Sequence, residues 1–246
     1  MITVDNPLKR VLKAGLRSAG LEMHRIRPLA TTEHRRRAMI EYLGIDAVLD
    51  VGANAGQYAL QLRGSGYKQL IVSFEPLTEV FAVLKTNAHS DRYWSVLNVA
   101  IGAEDGEADI NISASSASSS LLSMLETHVR YAPGSKYVAR EHVRVKALDT
   151  VAPELLSPGK RVLLKIDTQG YEHQVIKGAT SLLKQVHLIE CELSLVPLYD
   201  GQYLFLDMVS LLDRHGFKPV HFEPGFGDPA TGYCLQVDGM FGRAEA

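Results

Sequence analysis

The stretch Val48-Leu-Asp-Val-Gly-Ala-Asn-Ala-Gly-Gln-Tyr58 constrains the chain most: an apolar run, a turn carrying glycines at 52 and 56, then a helical pattern. Such a strand, turn and helix presents unpaired N–H groups at the helix start and lets the backbone approach a ligand closely. From residue 47 onward apolar runs alternate with helical patterns, the signature of crossover units that build a mostly parallel sheet. Strands are expected at 47–51, 70–75, 95–100, 161–167 and 186–192, and helices at 57–63, 78–88 and 171–184. The run Arg161-Val-Leu-Leu-Lys-Ile-Asp167 is nearly continuous in apolar residues, so it reads as a central strand covered on both faces. The α/β sheet is then doubly wound. Helical spacing over 205–215, followed by strands at 217–222 and 233–237, predicts a final antiparallel hairpin.

The glycine spacing separates ligand classes. A dinucleotide fingerprint would place glycines at 52, 54 and 57, where this chain has Gly52, Asn54 and Gln57, and the phosphate-binding loop ending in Lys-Ser/Thr is absent. Asp50, two residues before the first glycine, suits a ligand carrying a carboxylate and an ammonium. Nineteen residues past Gly56 the second strand ends in Phe74-Glu75-Pro76, which sets an acid where it can accept both hydrogen bonds of a ribose diol. Glu75 reads alternatively as a cap of the following helix.

Composition removes several classes. The 246 residues are 46% hydrophobic and 22% charged, with a formal net charge of -2, which leaves room for one large domain or two small ones. Cys191 and Cys234 are too few for a disulfide framework and lack zinc-site spacing, so a reducing cytoplasm is the expected compartment. No window approaches 18 uncharged apolar residues, and no apolar run near the N-terminus precedes a small-residue cleavage point, so a spanning or secreted chain is not expected. Residues 1–37 hold nine basic and three acidic side chains, a local charge of +6, which leaves -8 on the remainder. That acidic body argues against nucleic acid as the main partner, because phosphate binding needs a basic face.

Between residues 109 and 150 the alternation breaks, and Ser113-Ala-Ser-Ser-Ala-Ser-Ser-Ser120 is low in complexity. The segment reads as an irregular insertion, either a solvated connector or a lid over a site.

Taken together, Val48 to Tyr58, Phe74-Glu-Pro76, Asn98-Val-Ala-Ile-Gly102, Leu164-Lys-Ile-Asp-Thr-Gln-Gly-Tyr-Glu172 and Gln236-Val-Asp-Gly-Met-Phe241 resemble the FkbM family of class I S-adenosylmethionine-dependent methyltransferases. The order and spacing of five motifs over about residues 38–243 carry the resemblance, and the leader 1–37 lies outside it. The resemblance implies a Rossmann-like seven-stranded fold for residues 38–246, S-adenosylmethionine as donor, and a hydroxyl acceptor on a sugar, glycolipid or polyketide. By position it implies that Asp50, Gly52, Asn54 and Gly56 hold the methionine end, Glu75 the ribose, and the segment from Asn98 through Ala100 to Ile101 the adenine edge. Tyr58 either faces that pocket or packs beneath it. Where many relatives have Val-Glu after the strand-end acid, this chain has Thr168-Gln169, so one carboxylate is missing at that turn.

Methyl transfer to a hydroxyl needs the acceptor held in line and its proton removed or masked. Asp167, at the end of the central strand and beside the donor, is the first candidate base, with Glu192 at the end of the next strand second. Glu190 and Glu192 share a strand face. With Asp167 they could ligate a divalent cation, a reading not favoured over exposure or backbone hydrogen bonding. His173, near-neutral in titration and at the start of the following helix, is a third candidate, set against a surface histidine with no chemical part. His128, His142 and Tyr199 are weaker candidates. An amine methyltransferase would carry Asn/Asp-Pro-Pro-aromatic where this chain reads Asp167-Thr-Gln-Gly, which favours oxygen as acceptor.

In the leader, Leu8, Val11, Leu12, Leu16 and Ala19 recur at helical spacing, with Lys9, Arg10, Lys13 and Arg17 on the polar side. The segment is expected either to pack on the domain or a homodimer mate, or to touch an anionic membrane surface as a peripheral contact. Two rival readings of the whole chain stay open at this point. One is an NAD(P)-dependent sugar oxidoreductase, although no tyrosine is followed four residues on by the lysine that short-chain enzymes use. The other is a noncatalytic nucleoside-binding protein.

Overall fold

The computed structural model describes residues 7–20 and 31–243, and the chain divides into two units, Met1–Ala38 and Met39–Ala246. The first unit carries helix α1 (Pro7–Ser18), at the helical spacing read from the leader. Residues 1–6 and 21–30 of that leader, and the side chains of Leu8, Lys9, Arg10 and Lys13, lie outside the described residues. Among the described residues no helix is long and apolar enough to cross a membrane.

Helix α2 spans Thr32–Leu43. The alternation then runs β1 (Ala47–Val51), α3 (Gln57–Gly64), β2 (Leu70–Phe74), α4 (Thr78–Ala88), β3 (Trp94–Leu97) and β4 (Ala100–Ile101). After these come β5 (Gly106–Ser113), α5 (Glu126–Tyr131), β6 (Tyr137–Lys146), α6 (Leu148–Leu155), β7 (Val162–Ile166) and α7 (Glu172–Lys177). The chain closes with β8 (Val186–Ser194), α8 (Phe205–Arg214), β9 (Phe217–Pro224) and β10 (Gln236–Arg243). Seven strands form one sheet in the order β3-β2-β1-β7-β8-β10-β9. Strand β10 runs antiparallel to both β8 and β9, and the other pairings are parallel. This is the expected doubly wound sheet with its C-terminal hairpin.

Both central strands are buried along their whole length, as their continuous apolar runs require. Side chains alternate between the faces, so Ala47, Leu49 and Val51 join Leu164 and Ile166 in the core under α6 to α8, while Val48, Leu163 and Ile71 join the core under α3 and α4. The parity that puts Val48 on the α3 side puts Asp50 there too.

Four expectations are corrected. Residues 109–150 are not structureless: β5 and β6 pair antiparallel, and with β4 make a second, three-stranded sheet whose inner face packs Ala100, Ile110, Val143 and Val145 against Leu77. Polar residues on the outer face hid the strands, because a sheet with one wet face carries no continuous apolar run. The strand expected at 95–100 is two pieces, β3 in the main sheet and β4 in the small one, divided at Asn98-Val99. The helix expected at 171–184 stops at Lys177, and Gly178, which caps it, lies so close to the backbone of Gly102 that an added Cβ would meet the Gly102 oxygen at 2.0 Å. The last strand also lies later than expected, its core end disguised by Gly239 and Gly242.

Candidate active site

A cleft opens beyond the carboxyl ends of β1, β2 and β7. It sits where the strand order reverses, with β2 on one side of β1 and β7 on the other, the place where open α/β sheets bind ligands.

The β1 turn forms the floor. Gly52 has φ +74, and a Cβ there would come within 1.8 Å of the Asp167 carbonyl oxygen, so only glycine lets the ends of β1 and β7 meet. Asn54 takes φ +47, a left-handed conformation that asparagine tolerates. Its backbone N–H donates to Glu75 Oε2 at 2.9 Å, and its side-chain amide donates to Ser116 Oγ at 3.1 Å.

Glu75 lines the cleft at the end of β2, only 5% exposed, with Oε1 accepting the Leu77 N–H at 2.9 Å. Burial pushes its carboxyl up to about 7 against the pull of those two N–H groups. Each oxygen has a further lone pair, so the carboxylate remains able to accept from a diol. Val99, Ala100, Ile101, Ile110 and Leu121 add an apolar slot beside it.

Asp167 is the opposite wall, its side chain 44% exposed. Oδ1 accepts from Gln169 Nε2 at 3.0 Å, and Oδ2 lies 3.5 Å from Lys165 Nζ. The same Gln169 nitrogen donates to Glu192 Oε2 at 3.0 Å, which also accepts from Gln236 Nε2 at 2.6 Å. Burial, reinforced by Asp167, Glu172 and Asp238, holds the Glu192 carboxyl well above the usual range. Among the described residues, the lining contains two acids and no lysine, arginine or histidine. Such a wall attracts a cationic ligand and opposes a pyrophosphate.

Several expected site residues lie elsewhere. Asp50 is fully buried on the α3 face, accepting from Ser73 Oγ at 3.0 Å and paired with Lys165 at 3.3 Å, so it supports the turn from behind without lining the cleft. Tyr58 packs beneath the pocket, its ring 5.5 Å from Lys165 Nζ and its hydroxyl donating to Glu190 Oε2 at 2.8 Å. Gly56 serves packing: a Cβ there would strike Trp94 and Leu84 within 2.8 Å. Asn98 donates from its amide to the backbone oxygens of Glu75 and Pro76, at 2.9 and 2.8 Å, so it shapes the β2 end while Val99 to Ile101 face the cleft. His173, a candidate base, is buried and stacked on Tyr203 at 4.3 Å, away from the cleft lining, and burial first and Lys177 second pull its titration down. His128 is likewise buried, edge-on to Tyr199 at 5.0 Å, while His142 is exposed and paired with Asp109 and Glu107. Among the described residues no three His, Cys, Asp or Glu side chains gather as a metal-holding group.

Two residues that sequence reasoning passed over are central here. Lys165 is buried and reaches the Gly52 carbonyl at 3.1 Å as well as Asp50 and Asp167. Burial pulls the ammonium down, but Asp167 and Asp50 outweigh it and the net direction is up. A lysine inside an unbroken apolar strand was its signal, since a buried cation needs partners. Gln169 stood out in the sequence only as the place of a missing carboxylate. The serine segment also contributes, with Ser116, Ser119 and Ser120 in the lining.

The Methyltransferase FkbM domain family matches residues 50–219. Over 177 residues the chain is 29% identical to the hexuronic acid methyltransferase AglP of Haloferax volcanii, a match covering 70% of this chain and 66% of that protein, just under two thirds of its length. A solved structure of a putative S-adenosylmethionine-dependent methyltransferase from Listeria monocytogenes superposes with a TM-score of 0.50 at 10% identity, over 94% of this chain and 100% of that one. Magnesium protoporphyrin IX methyltransferase from Synechocystis PCC 6803, solved with bound SAM, gives 0.47 at 9% identity, over 99% of this chain and 100% of that one.

Proposed function

Because this chain belongs to the FkbM methyltransferase family, whose domain matches residues 50–219 of its 246, we propose that it is an S-adenosylmethionine-dependent O-methyltransferase. The acceptor is a hydroxyl of a sugar, glycolipid or polyketide-type metabolite. The observation that carries this reading is the cleft at the switch point, walled by Glu75 and Asp167 and free of basic lining residues among those described. A ligand with a sulfonium and an ammonium fits that charge, and a nicotinamide dinucleotide with its pyrophosphate does not.

S-adenosylmethionine supplies an electrophilic methyl group on sulfur. The chain's own residues do the rest. Glu75 holds the ribose hydroxyls, and the apolar slot at Val99 to Ile101 takes the base. The tight bend at Gly52 and Asn54 lets the backbone come close to the methionine end. Asp167 accepts the acceptor's proton as the bond forms, since a sugar hydroxyl is far too weak an acid to ionise unaided near pH 7. Exclusion of water from the cleft and alignment of acceptor with donor supply much of the acceleration. Where the acceptor is lipid-linked, the alternation of Leu8, Val11 and Leu12 with Lys9, Arg10 and Lys13 supports contact with an anionic membrane.

The test is calorimetric titration with S-adenosylmethionine and with NAD, followed by incubation of the protein with methyl-labelled donor and fractionated metabolite extracts. Donor binding with label transferred to an alkali-stable ether is the expected result. Binding of NAD alone would sink the proposal, and donor binding without transfer to any fraction would favour a noncatalytic nucleoside binder.

A further inference from the structure

Gln169 combines features that packing alone does not explain. It is a non-glycine residue at φ +35, a left-handed conformation that costs a long side chain energy and persists only where the surroundings impose it. Each polar atom of its side chain is used. Nε2 donates to Asp167 Oδ1 and to Glu192 Oε2, both at 3.0 Å, while Oε1 accepts from the Tyr199 hydroxyl at 2.9 Å. The Tyr199 bond fixes the amide orientation, because a flipped amide would turn its oxygen toward two carboxyl groups. Its backbone oxygen accepts from Ser120 Oγ at 2.7 Å, which ties the serine segment to the same turn.

The position between the two carboxyl groups is one a cation would take, yet the group there is neutral. An amide gives each acid one hydrogen bond and cancels no charge, so two ionised carboxylates would still repel. The surroundings make the acids unequal. Asp167 is open to the cleft and has Lys165 at 3.5 Å, with Asp50 beyond that lysine. Glu192 takes a second amide from Gln236, has Asp238 on the neighbouring strand and Glu172 on α7 as acidic neighbours, and has Tyr199 on the far side of Gln169.

We propose that Gln169 is a positioning residue that holds Asp167 and Glu192 as an unequal pair, an ionised base facing the cleft and a proton-bearing acid behind it. The inference rests on the assignment of Asp167 as the acceptor's base and of the cleft as the donor site. Burial and its acidic neighbours push the Glu192 carboxyl in the direction this arrangement needs.

The experiment uses S-adenosylmethionine and S-adenosylhomocysteine as paired probes, since they differ in charge at sulfur and share the ribose held by Glu75. The ratio of their calorimetric affinities reads the negative charge of the cleft, which Glu75, its carboxyl raised to about 7, shares with Asp167, so each variant is compared with the wild-type chain at the same pH. Gln169→Asn suits the left-handed backbone at least as well, but its amide is one methylene too short to bridge both acids. In the folded variant, checked by its melting transition, the preference for the sulfonium should fall about threefold below that of the wild-type chain near pH 6.5 and rejoin it by pH 8.5, because the two acids now share a proton. Adding Glu192→Gln should restore the wild-type profile. A wild-type ratio in folded Gln169→Asn, or a deficit that Glu192→Gln leaves in place, would overturn the inference alone. Failure of the wild-type chain to bind either probe would overturn the donor assignment together with it.

Discussion

Asp50 and Lys165 stand opposite each other in register on β1 and β7, and their charged ends meet 3.3 Å apart inside the sheet's α3 face. Lys165 also holds the Gly52 carbonyl and faces Asp167, so one buried cation links the interior acid, the glycine turn and the acid in the cleft. Breaking such a pair leaves an uncompensated buried charge. Lys165→Met should therefore cost about 3–5 kcal/mol in urea unfolding, and the loss should shrink when Asp50→Asn is added. Additive losses would show that the pair is not coupled.

Two glycines of the first crossover should respond in opposite ways. At Gly52 an added methyl would lie 1.8 Å from the Asp167 carbonyl with φ at +74, so Gly52→Ala should abolish donor binding and lower the melting temperature sharply. At Gly64, the last residue of α3, nothing lies within 4 Å of an added Cβ. Gly64→Ala should leave donor binding intact and raise stability by about 0.5–1 kcal/mol.

Glu75 predicts opposing pH trends for stability and binding. Its carboxyl is raised from 4.5 to about 7, so the folded chain holds this proton more tightly than the unfolded chain. Stability of the ligand-free protein should then fall as pH rises from about 4.5 to about 7, with Glu172, also raised to about 7 chiefly by burial, acting in the same direction. Donor affinity should rise over the upper part of that window, because the ribose hydroxyls are held by the ionised form. Glu75→Ala should weaken binding by about 10- to 100-fold and remove the pH dependence of affinity, measured by calorimetry at pH 6, 7 and 8. A wild-type affinity independent of pH would contradict the assignment of Glu75 to the ribose.

Asp167→Asn keeps the shape of the cleft wall and removes the base. Turnover with the acceptor should drop by about 10²- to 10⁴-fold, while donor affinity changes by no more than about threefold. Unchanged turnover in the folded variant would remove Asp167 from the proton transfer.

Much of the architecture is legible in the sequence because it is written over short distances. The alternation of apolar runs with helical spacing locates β1, β2, β7 and β8 nearly to the residue, and position at a strand end is enough to single out Glu75 and Asp167 as acids of the cleft. The period of two along a strand even carries the parity that sends Asp50 and Val48 to one face. What it does not carry is which face the cleft adjoins. Asp50 therefore reads as a ligand-binding acid, although the sheet places it behind the turn. The small sheet escapes a local reading for a related reason, since β5 and β6 bury one face each and offer no continuous apolar signal.

The sequence alone determined the crossover order, the glycine turn and the strand-end acids, all products of local periodicity and local backbone sterics. Tertiary structure decided the site's inner chemistry. Gln169 meets Glu192 across 23 positions, Asn54 meets Ser116 across 62, and Lys165 reaches Gly52 across 113. Contacts at such separations are set by how the sheet stacks its strands and by which charges must share one buried space, and no local pattern in the chain records them.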